Sequence, residues 1–399
     1  MLAPSRAPAP VQQPVQRPLP RRLQIDPPPP RTPQRVRRIV AIAALICLVP
    51  ALVSWGRYMT KPSSSNVLIR SVEWLRQDGA RGLVNTIESW YYSLTAPAKG
   101  GPGLRALPGQ AGATGGAAFG AYHVVHYYKP PDIKPVIHPA LPGEGVWHPT
   151  FAGGGSRPPV MISSFRPSPD YPQLVAGVAW IDHTRTSTVL YPGLSEPAVS
   201  LPSRGPAEVP SALRHKLVAT FNSGFQLADA RGGFAYQGHT YAPMQSGIAT
   251  AVRYTSGKVD IIAWNHGSDV PANVSWARQN LPLIVNHGQP NPNLSDGPEW
   301  GATLGNAILV WRSAVGVDKH GNLLYAAAND QTVKSLAEVM IRAGAVRAME
   351  LDINSEWTSF ISYRLPGAGH PANLLDSMQP SSDRYLTPDS RDFFAVYVK

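Results

Sequence analysis

The sequence predicts an α+β domain with a mixed β-sheet core and few helices, preceded by a single transmembrane helix. Three observations support this prediction. An apolar run without any charge occupies residues 39–55. From residue 121 onward, short runs of β-branched and aromatic residues are separated by Gly, Pro, Asn and Asp, which is typical of strands and turns. Clear helical spacing of apolar side chains in this part occurs over residues 335–343.

The first 35 residues are rich in proline and arginine and include four consecutive prolines at 27–30. We expect a disordered, partly polyproline-II tail on the cytoplasmic side of a membrane. Two roles remain open for it. The tail could bind a proline-recognition domain or an anionic membrane surface, or it could be a solvated spacer.

The chain is basic, with 36 Lys and Arg against 25 Asp and Glu and a formal net charge of +11. Ten of the basic residues and a single acid lie within residues 1–62, whereas the charges of residues 151–399 balance. A nucleic-acid-binding domain needs its positive charge on the folded surface. The distribution therefore argues against a nucleic-acid partner.

Residues 36–58 are predicted to form an uncleaved signal anchor, with residues 39–55 inside the membrane. The run is at the short end of what a bilayer core of about 30 Å requires. Eight arginines precede it, and by the positive-inside rule this places the N-terminus in the cytoplasm and the C-terminal domain outside. A cleaved signal peptide is the alternative, but the charged region before the run is too long and no small-x-small cleavage site follows.

Two segments connect the anchor to the domain. Residues 59–95 are predicted as juxtamembrane helices in two pieces, whose aromatic residues suit either a membrane interface or packing on the outer domain. Residues 96–120, rich in Gly, Ala and Pro, are predicted as a linker. The folded domain is expected over residues 121–399. Cys47 is the only cysteine, which excludes an intramolecular disulfide but not an exported location.

Seven segments are predicted as strands before the clearest helix. They are residues 122–128, 174–181, 217–221, 247–254, 259–264, 307–317 and 323–328. Ser256 and Gly257 are predicted to form a hairpin turn. Residues 393–398 are predicted as a closing strand.

The stretch from Ser335 to Phe360 reads as a helix, a turn, a buried strand and a polar loop. Ser335 and Glu338 are predicted to form a capping box, and Gly344 to close the helix in a left-handed conformation. Residues 345–351 are predicted as a strand. It leads into oxygen-bearing side chains at the end of a strand, where a ligand is commonly bound: Asp352, Asn354, Ser355 and Glu356.

Residues 351–359, Leu-Asp-Ile-Asn-Ser-Glu-Trp-Thr-Ser, resemble the Leu-Asp-Gly-Gly-Gly-Ser-Ser motif of the phosphodiester glycosidase family. Its members are relatives of the lysosomal enzyme that removes N-acetylglucosamine from a phosphodiester. The aspartate matches and the glycine run does not. Residues 222–226 resemble the family's Asn-Gly-Gly-Phe-Phe, with differences at Ser223 and Gln226. Residues 312–317 resemble its Arg-x-Ala-Ile-Gly-Val, and residues 282–289 a further strand and turn.

The resemblance implies a hydrolase that cleaves a sugar from a glycosyl phosphodiester, an exported or cell-surface glycoconjugate. Asp352 would be the catalytic carboxylate and Glu350 or Glu356 its partner, because paired carboxylates commonly cleave glycosidic bonds. Glu350 and Asp352, two apart on a strand, would share a face. The remaining predicted substrate or phosphate ligands are Arg312, Asn222, Gly224, Asn354, Ser355, Trp357 and His287.

Each of these assignments has a structural alternative. Glu350 could pair with an arginine in the sheet, Arg312 could form a structural salt bridge, and His287 could simply be exposed. Residues 222–224 could be an ordinary turn. No metal site and no cofactor are expected; calcium bound by the oxygens of the 352–356 loop is conceivable.

A second function remains open, namely a domain of the same fold that binds or helps assemble surface polysaccharide without hydrolysing it. Ile353 to Trp357 replace the family's glycines with larger side chains, which could fill the pocket. Trp357 could instead serve as a platform for a sugar ring. Convergence of Asp352 and Arg312 on an open pocket would favour the enzyme, and a pocket plugged by Trp357 would favour the binding domain.

Overall fold

A computed structural model of the chain describes residues 34–60, 67–80, 97–109, 129–150, 157–301, 308–364 and 368–399, together with residues 82, 84 and 86. The predicted tail up to residue 33 and the predicted strand at 122–128 lie outside the described residues. The same holds for most of the second juxtamembrane piece and for residues 110–120 of the linker. The chain divides into two units, Met1–Ser54 and Trp55–Lys399, which are described separately.

The N-terminal helix α1 spans Gln34–Met59. Within it, the 23 residues Arg37–Met59 are long and apolar enough to cross a membrane, judged by length and composition. Their large aliphatic side chains are exposed, for example Ile42 at 56% and Leu45 at 59%. The predicted apolar helix is confirmed, while membrane insertion and orientation stay predictions.

A short helix, α2 (Val67–Gln77), lies beside the last residues of α1 that belong to the second unit. The Trp55 indole donates to Ser71 Oγ at 2.9 Å, and Arg70 Nη2 donates to the Tyr58 carbonyl at 2.8 Å. Further along, Gly100 N donates to the Asp170 carbonyl at 2.7 Å and Gln173 Nε2 to the Ala98 carbonyl at 3.1 Å. The described part of the predicted linker therefore lies against the domain.

The described part of the second unit contains eighteen strands in three sheets, numbered here in chain order. The first sheet has the order β1 (His148–Pro149), β2 (Val160–Phe165), β3 (Ala176–Ile181), β14 (Leu323–Gln331), β13 (Val310–Asp318), β15 (Ala345–Glu350), β11 (Leu283–Asn286), β12 (Gln289–Pro290). The second has the order β17 (Gly369–Asn373), β16 (Phe360–Arg364), β5 (Leu217–Asn222), β18 (Phe393–Val398), β4 (Thr186–Tyr191). The third has the order β7 (His239–Ala242), β6 (Phe234–Tyr236), β10 (Val274–Gln279), β8 (Ala249–Tyr254), β9 (Val259–Ala263).

Helices in this unit are short. Among the described residues, they include α2, α3 (Leu227–Ala230), α4 (Val333–Arg342) and 3₁₀ turns at Ser211–Lys216, Pro298–Trp300 and Arg384–Leu386. A mostly β core with few helices is therefore confirmed. The Ser256–Gly257 hairpin is also confirmed: Gly257 has φ +88° and its N–H donates to the Tyr254 carbonyl at 2.9 Å between β8 and β9.

The prediction of a mixed sheet is wrong, because every strand pair in the described residues is antiparallel. The reason lies in the order of strands around α4. This helix joins β14 to β15, which run parallel to each other, as a strand-helix-strand pattern suggests. In the sheet, however, β13 is inserted between them and pairs with both in the antiparallel sense.

The first sheet is buried on both faces. On one face it packs against α4, whose Leu336, Ala337 and Met340 belong to the same apolar cluster. On the other face it packs against the second and third sheets; Tyr325 of β14 lies 5.4 Å from the ring of Phe221 and 5.2 Å from that of Phe360. This two-sided burial explains why the strands read as continuous apolar runs without alternation.

The start of α4 differs from the predicted one. Thr332 is the N-cap, and its Oγ1 accepts from Ser335 N at 3.1 Å while Ser335 Oγ accepts from Thr332 N at 3.0 Å. Ser335 is thus the third residue of the capping box, and Glu338 is exposed on the helix surface. The predicted closure at Gly344 is confirmed by its φ of +99°.

This corrected cap has a measurable consequence. We expect Thr332→Ala to lower the free energy of unfolding by about 1 kcal/mol, because it leaves an N-terminal backbone N–H of α4 without its acceptor. Glu338→Ala is the matched control and should change it by less than about 0.5 kcal/mol. Chemical denaturation of the two variants measures the difference. A larger loss of stability for Glu338→Ala than for Thr332→Ala would instead support the capping box of Ser335 and Glu338 predicted from the sequence.

Candidate functional site

A small polar cavity opens where β5 and β18 of the second sheet meet the loop that follows β15. About 170 Å³ of space lies within it when the open solvent at its mouth is included, so it is small compared with ligand pockets of roughly 300–1,000 Å³. Its lining residues come from three separate parts of the sequence: Asn222, Ser223, Gly224, Asp352, Trp357, Arg384, Tyr385, Arg391 and Asp392. Four of the predicted site residues, Asn222, Gly224, Asp352 and Trp357, are therefore brought together.

Asn222, the last residue of β5, fixes the loop of residues 351–359 to the sheet. Its Oδ1 accepts from Tyr325 Oη at 2.8 Å and from Ser359 N at 3.0 Å. Its Nδ2 donates to the Ser223 carbonyl at 2.8 Å and to Ser313 Oγ at 3.1 Å. With these four bonds the amide holds protein groups in place, so it shapes the cavity wall.

Gly224 is required by a close approach of the chain to Asn280. A Cβ atom at Gly224 would lie 2.8 Å from Asn280 Cγ, a separation that side chains do not adopt. Asn280 is itself fixed, since its Nδ2 donates to the carbonyls of Glu350 and Leu351. The turn after β5 and the end of β15 are thus tied together, and the Gly224 carbonyl accepts from Arg391 Nη2 at 3.0 Å.

Asp352 is 4% exposed and lies in the loop directly after β15. Its Oδ2 accepts from Arg391 Nη2 at 2.7 Å, and its Oδ1 accepts from Asn354 N at 2.9 Å. Burial raises the pKa of Asp352, and the neighbouring Arg391 guanidinium and the backbone N–H bonds partly offset that rise. The site therefore holds a carboxyl group that takes up a proton more readily than an exposed aspartate.

Two guanidinium groups lie over the ring of Trp357, which is 5% exposed. The Arg384 Cζ atom is 4.5 Å and the Arg391 Cζ atom 4.9 Å from the ring centroid. Arg384 also pairs with Asp389 at 2.6 Å and donates to the Glu356 carbonyl at 2.8 Å. Trp357 thus forms a wall of the cavity and orients both arginines through cation–π contact.

Arg312 and Glu350 lie away from the cavity lining, in a buried ion pair. Arg312 Nη1 is 2.5 Å from Glu350 Oε1, and the guanidinium also donates to the carbonyls of Gln331 and Trp300. Burial raises the pKa of Glu350 to about 7, because lost hydration outweighs the attraction of Arg312. Glu350 Oε2 has no hydrogen-bond partner in the described structure. The two carboxylates predicted to share a face are therefore held by two different arginines.

The remaining predicted residues lie in turns. Asn354, Ser355 and Glu356 are all half-buried. Asn354 Oδ1 accepts a hydrogen bond from the backbone N–H of Glu356. Asp352 Oδ1 and Asn354 Oδ1, two oxygens of the conceivable calcium site, thus accept from backbone N–H groups of their own loop. The described residues contain no group of three or more His, Cys, Asp or Glu arranged to hold a metal. His287 is exposed in the β11–β12 hairpin at φ +52°, outside the cavity lining.

The sequence patterns did not identify the segment of residues 384–392, which supplies four of the nine lining residues. Its charged residues form a buried network: Arg384 pairs with Asp389, Arg391 with Asp352, and Asp392 with Arg278 at 2.9 Å. The available signal was the density of alternating Arg and Asp directly before the apolar strand 393–398. Charges so close to a buried strand must be paired or at a site, because isolated buried charges are too costly.

A protein-family model matches part of the chain. The model of the phosphodiester glycosidase family matches residues 215–356, and the resemblance inferred from the sequence motifs is confirmed. The match covers the β5 turn, Arg312 and the loop up to Glu356. It ends before Trp357 and the residues 384–392.

Among solved structures, the chain is similar to a hypothetical protein from Synechocystis, with 13% identity, a TM-score of 0.37 and coverage of 60% of this chain and 62% of that one. It is also similar to the catalytic domain of zebrafish N-acetylglucosamine-1-phosphodiester alpha-N-acetylglucosaminidase, auto-inhibited by its pro-peptide. That match has 14% identity, a TM-score of 0.39 and coverage of 61% of this chain and 84% of that one. The chain thus spans about three fifths of the length of the Synechocystis protein. A search of the curated proteins found no match.

Proposed function

We propose that this chain is a hydrolase that cleaves the bond between a sugar and the phosphate of a glycosyl phosphodiester. One observation carries the proposal: a single cavity contains a buried carboxyl group, Asp352, together with two guanidinium groups, Arg384 and Arg391. The first can transfer a proton and the other two can hold a phosphate. The phosphodiester glycosidase match over residues 215–356 supports the same chemistry.

In this proposal the phosphate contacts Arg384 and Arg391. The sequence motif predicts Arg312 for this role, but Arg312 does not line the cavity, whereas Arg384 and Arg391 do. A guanidinium carries five N–H donors in a planar fork suited to phosphate oxygens. Both arginines already donate to a carboxylate and a carbonyl, so the phosphate shares their donors with Asp352 and Gly224 at Arg391 and with Asp389 and Glu356 at Arg384.

Asp352 serves as the general acid. It gives its proton to the phosphate oxygen that leaves C1 of the sugar, while a water molecule adds to C1 and loses a proton to a second carboxylate. The products are a free sugar and a phosphate monoester. Burial raises the pKa of Asp352, which is the direction of change that a general acid requires.

The second carboxylate remains a choice between Glu350 and Glu356. Neither Glu350 nor Glu356 lines the cavity. Glu350 Oε1 is held by Arg312 at 2.5 Å. Glu356 is half-buried in the loop that forms the cavity wall. We therefore favour Glu356 as the base, with Asn354 and Ser355 presenting the loop to the sugar.

The activity test is sugar release from a panel of glycosyl methyl phosphodiesters by the full-length protein in detergent. Asp352→Asn should lower the rate by at least about 100-fold, because it removes a general acid that contributes roughly 10²–10⁴-fold. Asp182→Asn, which alters a buried carboxylate paired with Arg157 and outside the cavity lining, is the matched control. Equal rates for wild type and Asp352→Asn would contradict the role of Asp352.

A second function, binding of a surface glycan without hydrolysis, is favoured by a different observation. Arg312 does not converge with Asp352 on the cavity, and Trp357, which is 5% exposed, forms one of its walls. Saturable binding of the phosphodiester panel with no release of sugar would make this the better proposal. Trp357 would then be the platform for the sugar ring.

We also propose that α1 anchors the chain in a membrane with the N-terminus in the cytoplasm, so that the domain meets exported or cell-surface substrates. The support is the length and composition of Arg37–Met59 and the arginines before it. A C-terminal alkaline phosphatase fusion in a bacterium should be active and an N-terminal one inactive, because the enzyme matures only outside the cytoplasm. An active N-terminal fusion and an inactive C-terminal one would reverse the orientation.

A further inference from the structure

We infer that Ser223 and Asp392 form a subsite that binds one hydroxyl group of the sugar. The inference rests on the proposed function, because it assigns a place in the same cavity to the neutral part of the substrate. Both residues line the cavity. Each contributes a buried polar atom that has no hydrogen-bond partner among the described residues, Ser223 Oγ and Asp392 Oδ1.

Ser223 is 2% exposed and follows the last residue of β5. Its backbone is fixed, since its N–H donates to the Asp392 carbonyl at 3.3 Å. A buried hydroxyl without a partner destabilises the fold, because it has lost its bonds to water and gained none. Such a group at the wall of a cavity indicates that something else supplies the partner.

Asp392 is 1% exposed, and it uses one carboxylate oxygen only. Its Oδ2 accepts from Arg278 Nε at 2.9 Å, in an ion pair that is buried on both sides. Arg278 is held in turn by the carbonyls of Gln279 and Phe225. The carboxylate is therefore positioned and its charge is balanced, while Oδ1 keeps its capacity to accept a hydrogen bond.

A hydroxyl group is the ligand that fits this pair. It can donate its proton to Asp392 Oδ1 and accept from Ser223 Oγ, so that both unpartnered atoms are satisfied by one group. A phosphate oxygen carries no proton at neutral pH and would be repelled by the carboxylate. The charges of the lining side chains therefore determine which part of the substrate each pair of residues contacts. The phosphate contacts Arg384 and Arg391, and a sugar hydroxyl contacts Ser223 and Asp392.

The chain contains a matched control for this assignment. Ser163 in β2 is 0% exposed, its Oγ also lacks a partner in the described structure, and it does not line the cavity. Ser163→Ala and Ser223→Ala remove the same atom from equally buried sites. A difference between them in ligand affinity isolates the effect of the cavity.

The test is isothermal titration of the full-length protein in detergent with the methyl phosphodiesters of glucose, galactose, mannose and N-acetylglucosamine. For the diester that binds best, Ser223→Ala should weaken binding about tenfold and Ser163→Ala should leave it unchanged, as expected for the loss of one hydrogen bond to a buried group. One monodeoxy analogue of that diester should bind wild type about tenfold more weakly. For this analogue, wild type and Ser223→Ala should agree within about twofold.

The inference would be overturned by unchanged affinity of Ser223→Ala, by a deoxy series without any weakened member, or by no binding of the four diesters. The deoxy series on wild type needs no variant, so it decides the matter even if Ser223→Ala does not fold. The outcomes also separate the two proposals. Binding with the expected deoxy effect but without sugar release refutes the proposed hydrolase activity and supports the subsite. Hydrolysis with an unchanged KM in Ser223→Ala supports the hydrolase activity and refutes the subsite.

Discussion

Arg391→Ala is expected to lower kcat/KM by at least about 10²–10³-fold, the cost of losing one donor to a developing negative charge, and the free energy of unfolding by about 3–5 kcal/mol. The two effects have different causes. Activity falls because the phosphate loses a ligand. Stability falls because Asp352, 2.7 Å from the Arg391 guanidinium, is left as a buried carboxylate without its counter-ion. Steady-state kinetics and chemical denaturation of the full-length protein measure the two losses.

A double variant separates these causes. Combining Arg391→Ala with Asp352→Asn removes the unpaired charge, so most of the lost stability should return while the activity stays absent. Arg391→Lys keeps the charge but not the planar fork, and it should keep more stability than activity. Full activity of Arg391→Lys, or no recovery of stability in the double variant, would contradict the pairing of Arg391 with both Asp352 and the phosphate.

The second large effect concerns the pH dependence of stability through Glu350. Burial raises the pKa of this group from its usual value near 4.5 to about 7. The folded protein therefore binds more protons than the unfolded chain between these values, and the stability contributed by Glu350 is fully present below about 4.5 and lost as the pH rises through about 7. We expect wild type to lose up to about 3 kcal/mol over this window relative to Glu350→Gln.

The comparison uses the change of the free energy of unfolding with pH, because Glu350→Gln also alters the hydrogen bond with Arg312 and so shifts stability for a reason other than titration. Chemical denaturation at pH 4.5, 6 and 8 gives the slope of the free energy of unfolding against pH for wild type and for Glu350→Gln. Glu338→Gln, an exposed carboxylate on α4, is the matched control and should retain the wild-type slope. Parallel slopes for wild type and Glu350→Gln would show that Glu350 is ionised throughout this range.

Local patterns predicted some elements of the fold close to their observed positions, but they missed other buried strands, such as β2 and β10. Strands such as β13 and β15 and the helix α4 appear close to their predicted positions because their apolar runs and turn residues are contiguous in sequence. The antiparallel pairing could not be predicted in the same way. It depends on β13 lying between β14 and β15, and no local pattern encodes the order of strands in a sheet.

The candidate site shows the same limit more sharply. The motifs identified Asn222, Gly224, Asp352 and Trp357, which do line one cavity. The partners of the charged residues could not be predicted, because Arg391 reaches Asp352 only after β18 pairs with β5. Arg312 matched a family motif, yet its neighbour is Glu350 in an adjacent strand. A charged residue acquires its role from the groups that the sheets place beside it.

The central claim is that the cavity at Asp352, Arg391, Arg384 and Trp357 holds the phosphodiester. The most direct measurement is a crystal structure of the full-length Asp352→Asn variant soaked with the glycosyl methyl phosphodiester that wild type binds best. We expect the phosphate within hydrogen-bond distance of Arg384 and Arg391, with Arg312 still paired to Glu350. A phosphate bound at Arg312, or at any site outside the cavity, would contradict the claim.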